Sequence, residues 1–160
     1  MPTYRHRLPQ LDDRTIFLAD GGLETTLVYH ERVDLPCFAA FTLLGDDDGR
    51  RRLRRYFERY VQIARAERVG IVLETPTWRA SLDWGAKLGY DAAALADVNR
   101  LAVDELVALR ERYPSTGTPI VISGNLGPRG DGYRPEARMT LEEAANYHFA
   151  QLTTFAASRA

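Results

Sequence analysis

The sequence predicts an α/β fold built on a parallel sheet, and three observations lead to this prediction. Short apolar runs lie at residues 16–19, 71–73 and 120–122. Each run ends in a cluster of glycine and small polar residues, and each is followed by a stretch with helical periodicity. The chain therefore alternates strand and helix three times. In parallel α/β folds the loops after the strands open on one face, where active sites lie.

The first predicted unit follows a polar lead-in over residues 1–14. The run Thr15–Asp20 is short, apolar and bounded by Asp-Gly-Gly, as expected of a buried strand. We expect a short helix over Leu23–Tyr29, directly after this turn. Pro36 and Cys37 are placed in the connecting loop that follows.

A long helix is predicted from about residue 49 to residue 68. The acidic run Asp46–Asp48 precedes it and supplies both an N-cap and the negative charge that a helix amino terminus favours. Gly70 is expected to end this helix, and Ile71–Glu74 to form the second strand. The predicted apolar stripe consists of Leu53, Phe57, Tyr60, Val61 and Ala64.

The second strand is followed by two helical segments. A short helix is expected over residues 81–88, closed by Gly89. A long helix follows, with Asp91 as its N-cap and its end near Arg112. Its apolar face is predicted to consist of Leu95, Val98, Ala102, Leu106 and Leu109.

The third unit begins with a strand over Pro119–Ser123. A loop rich in glycine, proline and arginine is expected over residues 124–138. The last helix starts at Thr140, because Thr140 and Glu143 match a capping box, and it is expected to end near Ala157.

Composition limits the class of protein. The chain has 160 residues with 45% hydrophobic and 27% charged residues, which suits one globular domain. Its net charge of -1 argues against nucleic acid as a partner, since nucleic-acid-binding domains are usually basic. One cysteine excludes an internal disulfide, and no apolar run is long enough to cross a membrane. Without a signal peptide pattern, we expect a cytoplasmic protein.

Two of the clusters that follow the strands carry candidate functional residues. The two glycines of the Asp20–Gly22 run let a ligand approach the backbone, and Asp20 can accept a hydrogen bond from an ammonium or hydroxyl group. The alternative is that Asp and Gly simply end a strand well. In Glu74–Thr77, a carboxylate at a buried strand end is costly unless it is paired or used. A neighbouring arginine or backbone amides would be the structural alternative.

Other clusters give weaker signals. The glycines at 123–130 match neither a P-loop nor the dinucleotide fingerprint, so a nucleotide site is disfavoured. The arginines of the first long helix are offset by acidic residues and indicate a solvated face. The three histidines and one cysteine are too scattered for a metal motif. Trp78 and Trp84, beside Arg79, either line a pocket over the strand ends or pack under a loop.

Four segments, taken in order, resemble the amino-terminal part of the homocysteine S-methyltransferase family. They are LADGGLETTL at 18–27, VLETPTWRAS at 72–81, ISGNLGPRGDGY at 122–133 and the helical tail at 141–156. The resemblance implies a (β/α)8 barrel of the TIM type, with about the first three β/α units in residues 1–160. It also implies methyl transfer to the thiol of homocysteine, giving methionine. Methyl donors in the family include S-methylmethionine, S-adenosylmethionine, betaine and a methylated folate or corrinoid.

The resemblance assigns substrate-binding roles at all three strand ends. The first turn would hold the amino acid end of homocysteine, and the second strand end would line the pocket. The implied substrate-binding residues are Asp20, Gly21, Gly22, Glu74, Thr75, Thr77, Ser123 and Gly124.

The family's zinc, which lowers the pKa of the homocysteine thiol, is held by three cysteines in its carboxy-terminal half. This chain has only Cys37, which matches none of them. We therefore expect a truncated barrel without catalytic or metal-ligating residues, which alone neither binds catalytic zinc nor methylates homocysteine. A missing carboxy-terminal half would then be its partner. Two alternatives stay open: a non-catalytic binding or assembly module, and a compact α/β domain with an unrelated phosphate ligand.

Overall fold

Three parallel strands form one sheet in the order β1-β2-β3 in the computed structural model, which describes residues 3–12, 15–113, 117–132 and 138–160. Strand β1 is Phe17–Ala19, β2 is Gly70–Glu74 and β3 is Ile120–Ser123. Both outer strands pair in parallel with β2. The predicted α/β class and the three β/α units are confirmed; β1 and β3 are shorter than predicted, and β2 begins one residue earlier.

Helices follow each strand and return the chain to the opposite end of the sheet. Shorter 3-10 turns lie in the lead-in and before the first long helix, at Pro9–Leu11, Pro36–Phe38 and Ala40–Gly45. The helices are α1 at Leu23–Thr25, which continues as a π turn over Thr26–His30, α2 at Asp47–Glu67, α3 at Leu82–Lys87, α4 at Ala92–Glu111 and α5 at Leu141–Ala156. No helix among the described ranges is long and apolar enough to cross a membrane.

The predicted caps of α4 and α5 are confirmed. The Asp91 side chain accepts a hydrogen bond from the Ala94 amide at 2.8 Å. Thr140 and Glu143 form the capping box. The Glu143 amide donates to the Thr140 side chain at 3.2 Å, and the Thr140 amide donates to the Glu143 side chain at 2.7 Å. The predicted apolar face of α4 is buried throughout.

Part of the loop predicted at 124–138 lies outside the described residues, at 133–137, as does the final residue of the 122–133 segment.

Gly70 does not end α2, which corrects one prediction. The helix ends at Glu67, and Arg68 caps it in the left-handed region at φ 57°. Gly70 is instead the first residue of β2, and the Phe17 ring lies against it. A Cβ atom at position 70 would be 2.3 Å from that ring.

The start of α2 also differs from the prediction. Asp46 alone is the N-cap, its side chain accepting from the Gly49 amide at 2.8 Å, and Asp47 and Asp48 lie in the first turn. The connecting segment before it contains the 3-10 turn Ala40–Gly45, too short for its periodicity to identify it in the sequence. Its buried side chains extend the core.

The hydrophobic core lies between the sheet and helices α2 and α4. Ile71 and Leu73 are two residues apart on β2, so they point to the same face, and both are fully buried. Full burial of such a side chain contributes about 1.5–3 kcal/mol. The largest buried side chains of the helices and of the turn before α2 are Phe41, Leu44, Tyr56, Phe57, Leu106 and Leu109.

Arg5 ties the lead-in to the end of the last helix. Its guanidinium donates hydrogen bonds of 2.6 to 3.3 Å to four carbonyl oxygens that follow or end α5. Helix termini leave carbonyl groups without partners inside the helix, and a cation there is favourable. The acceptors are Phe155, Ala156, Ser158 and Ala160.

The first turn of α2 predicts a large effect for a small substitution. A Cβ atom at Gly49 would lie 2.1 Å from the Leu43 carbonyl oxygen, a backbone atom that cannot move aside cheaply. We expect Gly49→Ala to lower the free energy of unfolding by about 1–3 kcal/mol, although alanine is the better helix former. Urea unfolding measures this. Gly45→Ala is the control, since no atom lies within 4 Å of its Cβ position; equal effects of the two substitutions would contradict the prediction.

Candidate functional site

A cleft opens at the carboxyl ends of the three strands. Register brings these ends together, since Glu74 of β2 pairs with Ser123 of β3, and the Asp20 amide lies 3.4 Å from the Val72 carbonyl. Loops after all three strands contribute to the walls, as predicted. The described residues that line the cleft are Gly22, Glu24, Thr25, Phe38, Glu74, Trp78, Arg79, Asn125 and Asp131.

Asp20 is anchored to the neighbouring strand. Its Oδ1 accepts a hydrogen bond of 2.9 Å from the Glu74 amide, and its Oδ2 lies 3.4 Å from the Tyr56 hydroxyl oxygen. Burial raises the pKa of Asp20 from 3.8 to about 6, and the Glu74 carboxylate adds to the rise. The two hydrogen bonds oppose this rise by stabilising the charged form.

The Asp20–Gly22 turn is also held from α2. The Gly21 carbonyl accepts hydrogen bonds from the Tyr56 hydroxyl at 2.7 Å and from the Tyr60 hydroxyl at 2.9 Å. Gly22 has φ 67°, a conformation that glycine adopts without strain. Tyr56 was not predicted as a site residue, and Tyr60 was predicted only to pack on the apolar face of α2. Their i, i+4 spacing on the core side of α2 was the available signal.

The cleft wall near Asp20 is acidic. Glu74 is exposed there, and Glu24 is partly buried on α1. Burial raises the pKa of Glu24, the nearby charge of Arg79 lowers it, and the charge of Glu74 raises it. Carboxylates converging from two strand ends favour a cationic group in the cleft.

Thr75 and Thr77 are buried beneath the cleft and joined in a closed hydrogen-bond circuit. The Asn125 amide donates to the Thr75 Oγ1 at 2.9 Å, and the Thr77 Oγ1 donates to the Asn125 carbonyl at 2.8 Å. The two hydroxyl oxygens are 2.6 Å apart. Each hydroxyl has one proton, so Thr75 must donate to Thr77. The circuit fixes the loop after β2 to the loop after β3.

Ser123 and Gly124 lie at the junction of β3 and α5 rather than among the described cleft-lining residues. The Ser123 carbonyl accepts from the Thr75 amide at 2.9 Å. A Cβ atom at Gly124 would be 2.6 Å from the Phe155 ring, so glycine permits close packing of α5. The next residue, Asn125, reaches the cleft instead. Of the eight predicted residues, Gly22 and Glu74 line the cleft, and direct contact of any of the eight with a substrate stays a prediction.

The two tryptophans differ: Trp78 is among the residues that line the cleft and Trp84 is not. Trp78 lines the cleft, and the Arg79 guanidinium lies between the two indoles, 4.0 Å from the Trp78 ring centre and 3.7 Å from that of Trp84. Arg79 Nη1 also donates to the Gly130 carbonyl at 3.2 Å. Cation–π contacts of this kind contribute about 0.5–2 kcal/mol. The stack connects the segment after β2 to the third loop.

The described residues do not fit the zinc site that the family resemblance implies. No group of three His, Cys, Asp or Glu side chains among them is arranged to hold a metal ion. Cys37 is an exposed free thiol, the only cysteine in the chain. A thiolate-rich zinc site therefore cannot be assembled from this chain's cysteine content.

Fold and site together define a parallel α/β protein with a cleft at the carboxyl ends of its strands. The sequence model described as Homocysteine S-methyltransferase matches residues 17–160, and the chain belongs to that family.

Two solved structures share this fold, both of the homocysteine methyltransferase MmuM from Escherichia coli. The metallated form matches with a TM-score of 0.69 and 18% identity, covering 94% of this chain and 52% of that one. The oxidized form matches with a TM-score of 0.70 and 18% identity, covering 93% and 51%. The chain thus spans about half the length of these structures. No curated protein matches the sequence significantly.

The threonine circuit predicts a stability loss without a loss of side-chain volume. In Thr77→Val, the partly buried Asn125 carbonyl loses its donor and the buried Thr75 hydroxyl loses its acceptor, at a cost of about 1–3 kcal/mol in the free energy of unfolding. Urea unfolding tests this. Thr154→Val is the matched control, because buried Thr154 bonds only to the Ala150 carbonyl one turn earlier. A loss no larger than that of the control would refute the role of the circuit.

The raised pKa of Asp20 predicts a pH-dependent stability. The folded state holds the Asp20 proton more tightly than the unfolded state, so this group stabilises the fold below about pH 4 and the contribution is lost as pH rises towards 6. Asp20→Asn removes the titration. We expect its free energy of unfolding to rise relative to the parent chain between pH 4 and 6, by on the order of 2 kcal/mol, then stay constant.

The control for this measurement is Asp47→Asn on the exposed first turn of α2. The Arg50 side chain lowers the pKa of Asp47, so any pH-dependent difference there has the opposite sign. Unfolding curves at half-unit pH steps provide the comparison. A flat difference between Asp20→Asn and the parent chain from pH 4 to 6 would be incompatible with a buried, raised Asp20.

Proposed function

We propose that this chain carries the homocysteine-binding part of a homocysteine S-methyltransferase site. The observation that supports this most is the anchored Asp20 carboxylate at the end of β1, beside a glycine turn that leaves room for a ligand. Family membership supplies the substrate class. Homocysteine is a zwitterionic amino acid, so its ammonium group needs an anionic partner and its carboxylate needs hydrogen-bond donors.

The ammonium group is assigned to Asp20, with Glu74 adding negative charge nearby. Charge-assisted hydrogen bonds of this kind are stronger than neutral ones. The substrate carboxylate is assigned to the backbone amides of the glycine turn and to the Asn125 side chain, which lines the cleft and has two N–H donors. Thr75 and Thr77 support this arrangement from below by fixing the loop that carries Asn125.

The proposed reaction of the complete enzyme is transfer of a methyl group to the homocysteine sulfur, giving methionine, in the cytoplasm. In the family, zinc makes the thiol acidic enough to attack as a thiolate. Since the described residues do not fit that metal, we propose that its ligands lie outside these 160 residues and that this chain alone binds without turnover. The methyl donor is left open.

A complementary polypeptide that completes the barrel is the proposed partner. Among the described residues, β1 and β3 each pair only with β2, so each keeps an edge available for another strand. The outer face of α5 is also apolar: Leu141, Phe149 and Leu152 are 93%, 68% and 49% exposed. Exposed large apolar side chains on one helix face are typical of a surface that another element covers.

A non-catalytic binding module is the second candidate function. The absence of a metal-binding group among the described side chains favours it. The two candidates share the same cleft and differ in turnover, so one experiment addresses both.

Calorimetric titration of the purified chain with homocysteine at pH 7.5 tests the proposal. We expect binding, and we expect Asp20→Asn to weaken it about 10- to 100-fold, the worth of a charged hydrogen bond. The control is Asp97→Asn, whose carboxylate lies exposed on α4 and pairs with Arg100. Undetectable binding by the parent chain, or equal binding by both variants, would refute the assignment.

The same samples, given zinc and S-methylmethionine, test turnover. We expect no methionine from the chain alone, as the missing thiolate ligands require. Methionine formation that depends on zinc would show that this chain assembles a metal site by itself, and would reject the binding-module alternative.

A further inference from the structure

We infer that Tyr56 and Tyr60 of α2 are positioning residues that hold the Asp20–Gly21 turn and leave the Asp20 Oδ2 atom open to accept the ligand's ammonium group. This inference rests on the proposed function for the identity of the ligand. The arrangement of the two tyrosines itself is independent of any ligand.

The Gly21 carbonyl is fully occupied by the pair. Its oxygen has two lone pairs, and it accepts from Tyr56 at 2.7 Å and from Tyr60 at 2.9 Å. The two side chains lie one helical turn apart, with ring centres 5.1 Å from each other. Two donors from one rigid helix fix both the position and the tilt of this peptide group.

The two oxygens of Asp20 are then unequal. Oδ1 accepts from the Glu74 amide at 2.9 Å, whereas the Tyr56 oxygen is 3.4 Å from Oδ2, longer than a good O–H···O hydrogen bond. The single proton of Tyr56 lies mainly toward the Gly21 carbonyl at 2.7 Å, so its contact with Oδ2 is weak but still favours the carboxylate. Oδ2 therefore keeps more accepting capacity than Oδ1.

The charged and titratable groups around Asp20 come from three elements. Glu74 at the end of β2 disfavours the Asp20 carboxylate, and Tyr56 on α2 favours it through the longer contact. Glu24 on α1 interacts with Glu74. Tyr60 contacts the Gly21 carbonyl, and no contact between it and the Asp20 carboxylate is present. Tyr60 therefore acts on Asp20 only indirectly, through the Gly21 carbonyl and through its interaction with Tyr56.

Substitution of each tyrosine by phenylalanine tests the inference, with the Asp20 carboxyl ¹³C shift followed from pH 4 to 8. Tyr56→Phe removes a contact that favours the carboxylate, so we expect the pKa of Asp20 to rise above about 6. Tyr60→Phe is expected to change that pKa less than Tyr56→Phe does, because Tyr60 acts on Asp20 only indirectly. The control is Tyr113→Phe, because the Tyr113 hydroxyl bonds Glu58 away from the cleft.

Homocysteine affinity is measured on the same variants. Loss of one neutral hydrogen bond to Gly21 predicts about 2- to 10-fold weaker binding for Tyr60→Phe at pH 7.5. Tyr56→Phe is expected to lose affinity most steeply on acidification, because the pKa of Asp20 is expected to be highest in that variant. An unchanged Asp20 titration in folded Tyr56→Phe would overturn the inference. Affinities of both variants equal to that of Tyr113→Phe would also overturn it.

The ¹³C titration of Asp20 distinguishes a failure of this inference from a failure of the proposed function. If the parent chain does not bind homocysteine, the substrate assignment fails. The ¹³C titration of Tyr56→Phe and Tyr60→Phe then still decides whether the pair sets the state of Asp20.

Discussion

The central strand β2 is the constraint on which the site depends. Both other strands pair only with Gly70–Glu74 among the described residues, and its carboxyl end bonds to both flanking turns. The Glu74 amide holds Asp20 of the first turn, and the Thr75 side chain holds the backbone of the third loop at Asn125. One strand thus fixes polar groups of three separate chain segments at one edge of the sheet. Its first residue is glycine, and the Phe17 ring occupies the space that a Cβ atom would take.

Polar groups near the cleft fall into two kinds. The threonine hydroxyls are buried and satisfied by each other and by the amide and carbonyl of Asn125, so they stiffen the floor of the cleft. Asp20 retains an acceptor atom whose direction is set by its neighbours. A satisfied buried network rigidifies, while an incompletely satisfied carboxylate keeps an affinity for a donor. The threonine network therefore orders the floor of the cleft, while the Asp20 carboxylate can still accept a further hydrogen bond.

The sequence predicted the order of elements well because each one carries a local signal. The strand ends are marked by glycine and small polar residues, and the caps at Asp91 and Thr140 are encoded within four residues. Asp20 was singled out as an acceptor beside two glycines, and Glu74 as a costly carboxylate at a buried strand end, but Glu74 is exposed. Tyr56 and Tyr60 were not found, since a tyrosine on an apolar helix face has the same pattern whether or not its hydroxyl has a distant partner. The role of Gly70 depends on Phe17, fifty-three residues earlier, and no local pattern contains it.

The bonds from Arg5 to the end of α5 have a consequence for how the molecule opens locally. They join residues 150 or more positions apart in the chain, so the lead-in and the end of α5 are held by the same contacts. Segments that share their contacts open together in amide hydrogen exchange. Loss of these bonds would therefore release both segments at once.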